Sequence, residues 1–175
     1  MSVFDYLEPH SVKQALSMLH KYGHDARIVG GSTDFLIRWR TGVWSPKYVV
    51  NLQHIPSLHQ IKYSPRNGLR IGALVTVQEI EQNQMIRSKY TAFAAGATSF
   101  AGVQIRNLAT IGGNICNASP AGDTLPSLLA LAAKFKIAGP NGTRYVVADE
   151  FFVGPGKTVL ENGEILTEIC IPSPS

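Results

Sequence analysis

Across residues 11–19, Val12, Ala15, Leu16 and Leu19 fall on one face of a helix, with the polar Lys13, Gln14 and Ser17 among the positions between them. Ser11-Val12-Lys13-Gln14 has capping-box spacing at its start, and Gly23 stands where such a helix stops. The pattern then predicts a short strand at 27–29, a brief helix at 33–40 and a second strand at 47–52. Together these make a small strand, helix, strand unit of parallel type that ends near Pro56. From His59 the pattern changes. HQIKYSP, the Asn67-Gly68 turn signal and LRIGAL predict two strands joined in a hairpin. Thr76-Val77-Gln78-Glu79 is a second capping box, and residues 86–97 continue in an alanine-rich helical composition. A buried helix over 125–133, strands at 134–137 and 143–147 about an Asn141-Gly142 turn, and a strand at 165–171 complete the reading. The expected class is α+β in two parts, residues 1–56 and residues 57–175.

The chain has 175 residues, 45% of them hydrophobic, enough for one ordinary core or two small ones. Its formal net charge of +4 comes from basic residues scattered singly, apart from Arg38 and Arg40 flanking Trp39. That distribution argues against nucleic acid and leaves room for an anionic ligand. Cys116 and Cys170 belong to no CxxC pair, so neither a disulfide framework nor a zinc or iron-sulfur ligand set is expected in this chain. The N-terminus carries acids where a signal peptide carries lysines, and the longest apolar run, residues 128–133, is far too short to span a membrane. The expectation is a cytoplasmic protein without membrane insertion.

Two glycine doublets carry the candidate chemistry. Gly30-Gly31 follows Ile28-Val29 and precedes Ser32, Thr33 and Asp34; Gly112-Gly113 follows Ala109-Thr110-Ile111, with Ser119 and Asp123 further on. A strand that ends in Gly-Gly and turns into a helix lets a ligand approach the backbone, and the N–H groups at the helix start suit phosphate oxygens. Ser32, Thr33, Thr110 and Ser119 add hydroxyls, while Asp34 and Asp123 read either as helix caps or as ligand contacts. Each doublet taken singly reads more often as a plain turn; two that converge would hold a pyrophosphate from both sides. Neither is a GxGxxG fingerprint. GPGKT at 154–158 supplies only the second half of a P-loop, with Phe151 in place of its first glycine, and reads as a turn with Lys157 exposed. The five histidines lack metal spacing, and no Ser-His-acid grouping is recognisable.

At IVGGSTDFL and FAGVQIRNLATIGGNICNASPAGD the sequence resembles the FAD-binding subunit, or medium chain, of the molybdenum hydroxylases, the family of xanthine dehydrogenase and the carbon monoxide dehydrogenase flavoprotein. The resemblance covers the whole chain. It includes the opening Phe4-Asp5-Tyr6, LRIGALVTVQEIE, the NxATIGGNICxxxPxxD motif, FFVGPGKT and the closing EILTEICIP, all in the family's order. It implies a two-subdomain FAD-binding fold of the vanillyl-alcohol oxidase or PCMH type, with FAD held non-covalently between the subdomains. The family's first pyrophosphate loop falls on Val29, Gly30, Gly31, Ser32, Thr33, Asp34 and Phe35. Its second flavin stretch falls on Phe100, Ala101, Ile105, Ala109, Thr110, Gly113, Asn114, Cys116, Gly122 and Asp123, and Leu166 matches a further contact near the flavin. No catalytic residue and no metal ligand is expected here. Molybdopterin and [2Fe-2S] clusters belong, by the resemblance, to a molybdopterin-binding subunit and an iron-sulfur subunit, with FAD passing electrons to an acceptor such as NAD. Family subunits continue for roughly another hundred residues into a C-terminal α+β domain, whereas this sequence stops at IPSPS. The alternative reading is a non-catalytic FAD- or nucleotide-binding assembly module.

Overall fold

The computed structural model describes residues 3–174. A first strand, β1 (Asp5–Leu7), precedes helix α1 (Val12–Tyr22), which is capped by the Ser11 side chain accepting from the Gln14 N–H and closed by Gly23 at a φ of 51°. Strand β2 (Ala26–Val29), helix α2 (Thr33–Arg40) and strand β3 (Tyr48–Asn51) follow. β3 lies at the centre of a three-stranded sheet of order β1-β3-β2, parallel to both neighbours. The parallel unit therefore forms as its pattern predicts. β1 was invisible to that pattern because it is three residues long and mostly exposed.

The second sheet begins with the antiparallel hairpin of β4 (Ile61–Ser64) and β5 (Gly68–Gly72), turned at Gly68 with a φ of 70°. Helix α3 (Val77–Gln82) opens with the complete Thr76/Glu79 capping box. The expected helix over 86–97 is instead two, α4 (Gln84–Lys89) and α5 (Thr91–Ser99), broken at Tyr90, whose φ and ψ of −130° and 53° are not helical. The break seats the Tyr90 ring in the core and lets its hydroxyl donate to the Pro172 carbonyl at 3.0 Å. Short helices α6 (Val103–Arg106), α7 (Ile111–Asn117) and α8 (Leu125–Ala130) lead to the hairpin of β6 (Lys134–Gly139) and β7 (Gly142–Val147). After α9 (Ala148–Phe151), β8 (Phe152–Gly154) and β9 (Lys157–Thr158) flank the Pro155-Gly156 turn, leaving Lys157 exposed as expected. The last strand, β10 (Ile165–Ile171), inserts antiparallel between β5 and β6, giving the order β4-β5-β10-β6-β7.

The large core, including Phe93, Ile111, Ile115, Phe135 and Phe151, lies on the face of the second sheet covered by helices. A second cluster joins the two sheets: Ala15 and Leu19 of α1 and Val50 of β3 pack with Leu58, Leu74 and Ile165. This shared apolar layer fixes the spacing of the cleft beside it. No helix among the described residues is long and apolar enough to cross a membrane.

Candidate functional site

Between the two sheets lies a cavity of about 490 Å3 that brings both glycine doublets together, a size typical of small-molecule sites. One wall is the β2–α2 connection, from Val29 through Gly30, Gly31, Ser32, Thr33 and Asp34 to Phe35. The opposite wall is built by Phe100, Ala109, Thr110, Gly113, Asn114 and Cys116. Leu166, buried in β10, closes the floor. Ala101, Ile105, Gly122 and Asp123, also expected at the site, do not line this cavity. Ala101, Ile105 and Asp123 are exposed and Gly122 is buried against Leu125. Asp123 precedes Thr124, the residue at the cap of α8, and Asp34 lies exposed in the first turn of α2.

The two doublets differ in kind. The first is a true turn from a strand into a helix. Ser32 takes the left-handed conformation, φ 61° and ψ 6°, and no side chain caps α2. Among the described residues the N–H groups of Gly31 and Ser32 have no protein acceptor, so this loop presents free donors at the positive end of a helix dipole. A left-handed serine is strained by about 1 kcal/mol or more, and such strain persists where surrounding structure imposes it. Here the imposing contact is close: Gly31 lies against the Leu108 and Ala109 backbone.

The second doublet was expected at a strand end with its N–H groups free, and the structure corrects this. Gly112 and Gly113 lie inside the first turn of α7, and the donors there are already used. Ile111 N–H donates to the Val75 carbonyl at 2.9 Å, Gly112 N–H to the Ala73 carbonyl at 2.8 Å, and Gly113 N–H to Thr110 Oγ1 at 3.1 Å. Thr110 is thus the helix cap, 2% exposed, instead of a free hydroxyl. Gly112 is required by packing, since a Cβ there would lie 2.6 Å from the Ala73 oxygen. Gly113 is different: it is exposed on the cleft wall, and a Cβ would meet nothing within 4 Å except Thr110 Oγ1. Its missing side chain leaves room in the cavity itself.

Side chains outside the expected set complete the site. Arg106 donates to the carbonyls of Thr98, Phe100 and Ala101 at 3.3, 3.1 and 2.8 Å and pairs with Glu81 at 2.9 Å. It thereby holds the loop carrying Phe100, in which Ala101 has a φ of 40°. Asn114 donates its amide to Thr124 Oγ1, tying α7 to the start of α8. The loop over residues 160–165 lines the cavity ahead of Leu166. In it, Glu164 accepts from Arg144 Nε and Nη2, both at 2.7 Å, and this pairing holds its carboxyl below the ordinary value of 4.5. Cys116 lines the cleft and is exposed along it. No group of His, Cys, Asp and Glu among the described residues could hold a metal ion.

The lowered carboxyl of Glu164 has a pH consequence. A depressed folded-state pKa contributes stability that is present above the unfolded value and lost as pH falls through the folded one. Glu164→Gln is expected to cost about 1 kcal/mol at pH 7, with the gap from the unchanged protein closing as pH falls below the ordinary carboxyl value of 4.5 and on through the lowered one. Urea titrations at pH 7 and pH 3 measure it; an equal gap at both pH values refutes the assignment.

A cleft between a small parallel sheet and a larger antiparallel one, with free N–H donors on one wall and a glycine opening on the other, defines a domain built to hold an extended phosphate-bearing ligand against backbone. Residues 2–174 match the family described as the FAD binding domain in molybdopterin dehydrogenase, and the chain belongs to that family. It is 32% identical over 170 residues to the carbon monoxide dehydrogenase medium chain of Hydrogenophaga pseudoflava, covering 97% of this chain and 59% of that one. It is 33% identical over 173 residues to the xanthine dehydrogenase FAD-binding subunit of Escherichia coli O157:H7, with the same two coverages of 97% and 59%. The solved carbon monoxide dehydrogenase of Hydrogenophaga pseudoflava superimposes with a TM-score of 0.95 at 31% identity, over 98% of this chain and 60% of that one. The α+β fold is therefore that of the family, whose cofactor is FAD. This chain spans about 59% of the length of these curated relatives.

Proposed function

We propose that this chain is the FAD-binding part of a cytoplasmic molybdenum hydroxylase, its two subdomains, residues 1–56 and 57–175, closing on FAD from either side. The observation that carries this reading is the uncapped turn at Gly31-Ser32 facing a glycine-opened wall across one cavity. The Gly31 and Ser32 N–H groups would take the pyrophosphate, with Thr33 adding a hydroxyl and Val29 and Phe35 an apolar edge. Gly113, Ala109, Thr110, Asn114 and Cys116 would leave room for the rest of the cofactor to lie on backbone, with Phe100 and Leu166 as apolar walls. Asp34, Ala101, Ile105, Gly122 and Asp123, which the resemblance also marks, would act at the edges of that site. When bound, FAD supplies the electron-transfer chemistry; the protein's part is binding, orientation and exclusion of water. Electrons would come from a [2Fe-2S] subunit, which receives them from a molybdopterin-binding subunit, and leave to an acceptor such as NAD.

Apo protein mixed with FAD is expected to gain a flavin absorbance band that survives gel filtration and is released by acid precipitation, because the family resemblance carries no flavin-linked histidine or cysteine onto this chain. Yellow colour remaining in the acid pellet refutes non-covalent binding, and an absent band refutes the cofactor. Anaerobic mixing with NADH tests the acceptor, since bleaching of bound FAD is expected if NAD is the electron partner. Substrate-dependent bleaching by the chain without partner or metal would overturn the relay reading.

A further inference from the structure

The face of the second sheet turned away from the large core carries a charge pattern that the cleft does not account for. Successive side chains on a strand alternate between faces, and residues directly opposite on neighbouring strands share one. The register places Lys62 of β4 opposite Arg70 of β5, Arg70 opposite Cys170 of β10, and Cys170 opposite Lys134 of β6. The next row sets Glu168 of β10 opposite Lys136 of β6, and Lys136 opposite Tyr145 of β7. The residues between them, Ile71, Phe135 and Ile169, are buried in the core on the other side. Lys62, Lys134 and Tyr145 are exposed, while Arg70, Cys170, Glu168 and Lys136 are half-buried.

Basic residues that lie apart in the sequence are collected here by strand pairing. Glu168 is the only acid in the five strands, and Arg70 Nη1 already donates to its Oε2 at 2.6 Å. Among the described residues Lys62, Lys134 and Lys136 have no carboxylate within ion-pair distance. Like charges directly opposite, as Lys62 and Arg70 are, repel each other, and the isolated sheet gains nothing from holding them there. An incoming carboxylate supplies the counter-charge, as Glu168 does for Arg70. The spacing suits a polypeptide. Lys134 and Lys136 stand two residues apart on β6, roughly 7 Å, which is also the interval between alternate side chains of an extended segment. Four cations, one of them already paired, fall short of the roughly six to ten phosphate contacts of a typical nucleic-acid site. Tyr145, 52% exposed beside Lys136, adds the amphipathic ring that protein interfaces favour.

We propose that this face of the second sheet is a docking surface for an acidic segment of a partner protein, whose carboxylates pair with Lys62, Lys134 and Lys136 beside the Tyr145 ring. The inference stands apart from the cleft and holds whatever cofactor the cleft takes.

The test follows the fluorescence anisotropy of a labelled peptide of alternating glutamate and serine at low ionic strength, with a glutamine-serine peptide as the uncharged control. Two double variants are compared, K62E/K134E on this face and K21E/K157E away from the second sheet. Both lower the formal net charge of +4 by the same amount, so nonspecific attraction falls equally in each. Binding of the glutamate peptide but not of the glutamine peptide is expected for the unchanged chain. K62E/K134E is expected to raise the Kd at least about tenfold and K21E/K157E less than about twofold. The neutral K62Q/K134Q is expected to raise it at least about threefold. Lys62 and Lys134 are exposed and unpaired, so unchanged melting temperatures are expected to accompany these losses. No binding of the glutamate peptide by the unchanged chain, or equal losses in K62E/K134E and K21E/K157E, overturns the docking surface. A larger selective loss for duplex DNA or for phosphatidylserine vesicles than for the peptide assigns the face to a phosphate polyanion and overturns the protein partner.

Discussion

Alanine at position 31 is expected to cost about 3 kcal/mol or more of stability, the largest effect of any single methyl group in the cleft. A Cβ on Gly31 would sit 1.8 Å from the Leu108 carbonyl oxygen, 2.7 Å from its carbon and 3.1 Å from the Ala109 Cα. All three are backbone atoms, so no side-chain rotation relieves the overlap. Either the β2–α2 turn or the segment entering α7 must move, and the second is pinned by Val77 N–H donating to the Ala109 carbonyl at 2.9 Å and Ile111 N–H to Val75 at 2.9 Å. Gly42→Ala is the matched control. Gly42 has a φ of 77° but open space around it, so alanine there is expected to cost only about 1 kcal/mol from backbone strain. Chemical denaturation of the two apo variants measures the contrast, and equal losses would mean that the walls are not in the contact described.

Valine at position 113 is expected to weaken FAD binding by about tenfold to a hundredfold with little loss of stability, the cost of overpacking a ligand site. A Cβ at this position meets only Thr110 Oγ1 within 4 Å, at 3.0 Å, and the residue lines the cavity. Gly142→Val is the reverse case. Gly142 has a φ of 113° in the β6–β7 turn, away from the cavity, so valine there is expected to lower the melting temperature and leave FAD affinity unchanged. Isothermal titration with FAD and thermal melts separate the two effects. Equal loss of affinity in two folded variants would reduce the second glycine doublet to a structural role.

Local sequence determined the elements whose signals are local. The Ser11 cap, the Thr76 capping box, the turns at Gly68 and Gly142, and the helical face of Ala15 and Leu19 each act within a few residues and appear as expected, although Gln14 accepts from the His10 N–H and so leaves the box at Ser11 half made. The motif around both glycine doublets was long enough to indicate the family, because so many small residues at fixed spacing rarely recur without a shared backbone. What the sequence could not decide was which partner each group meets across the fold. Residues 86–97 are helical by composition, but the helix breaks at Tyr90 because a buried phenol there reaches a carbonyl 82 residues away. Gly112 and Gly113 are adjacent and identical in type, yet one fits against Ala73 and the other opens into the cleft, a distinction made by strand β5 and its extension. The N–H groups of Gly31 and of Gly113 look alike on paper. The Thr110 cap satisfies the second locally, its neighbours Ile111 and Gly112 donate across the fold to Val75 and Ala73, and the first stays free; only the meeting of distant backbone segments assigns those longer-range partners. Arg27, Arg38 and Trp44 carry no motif at all, and it is the folding of β2 beside α2 that gathers them on one rim of the cavity.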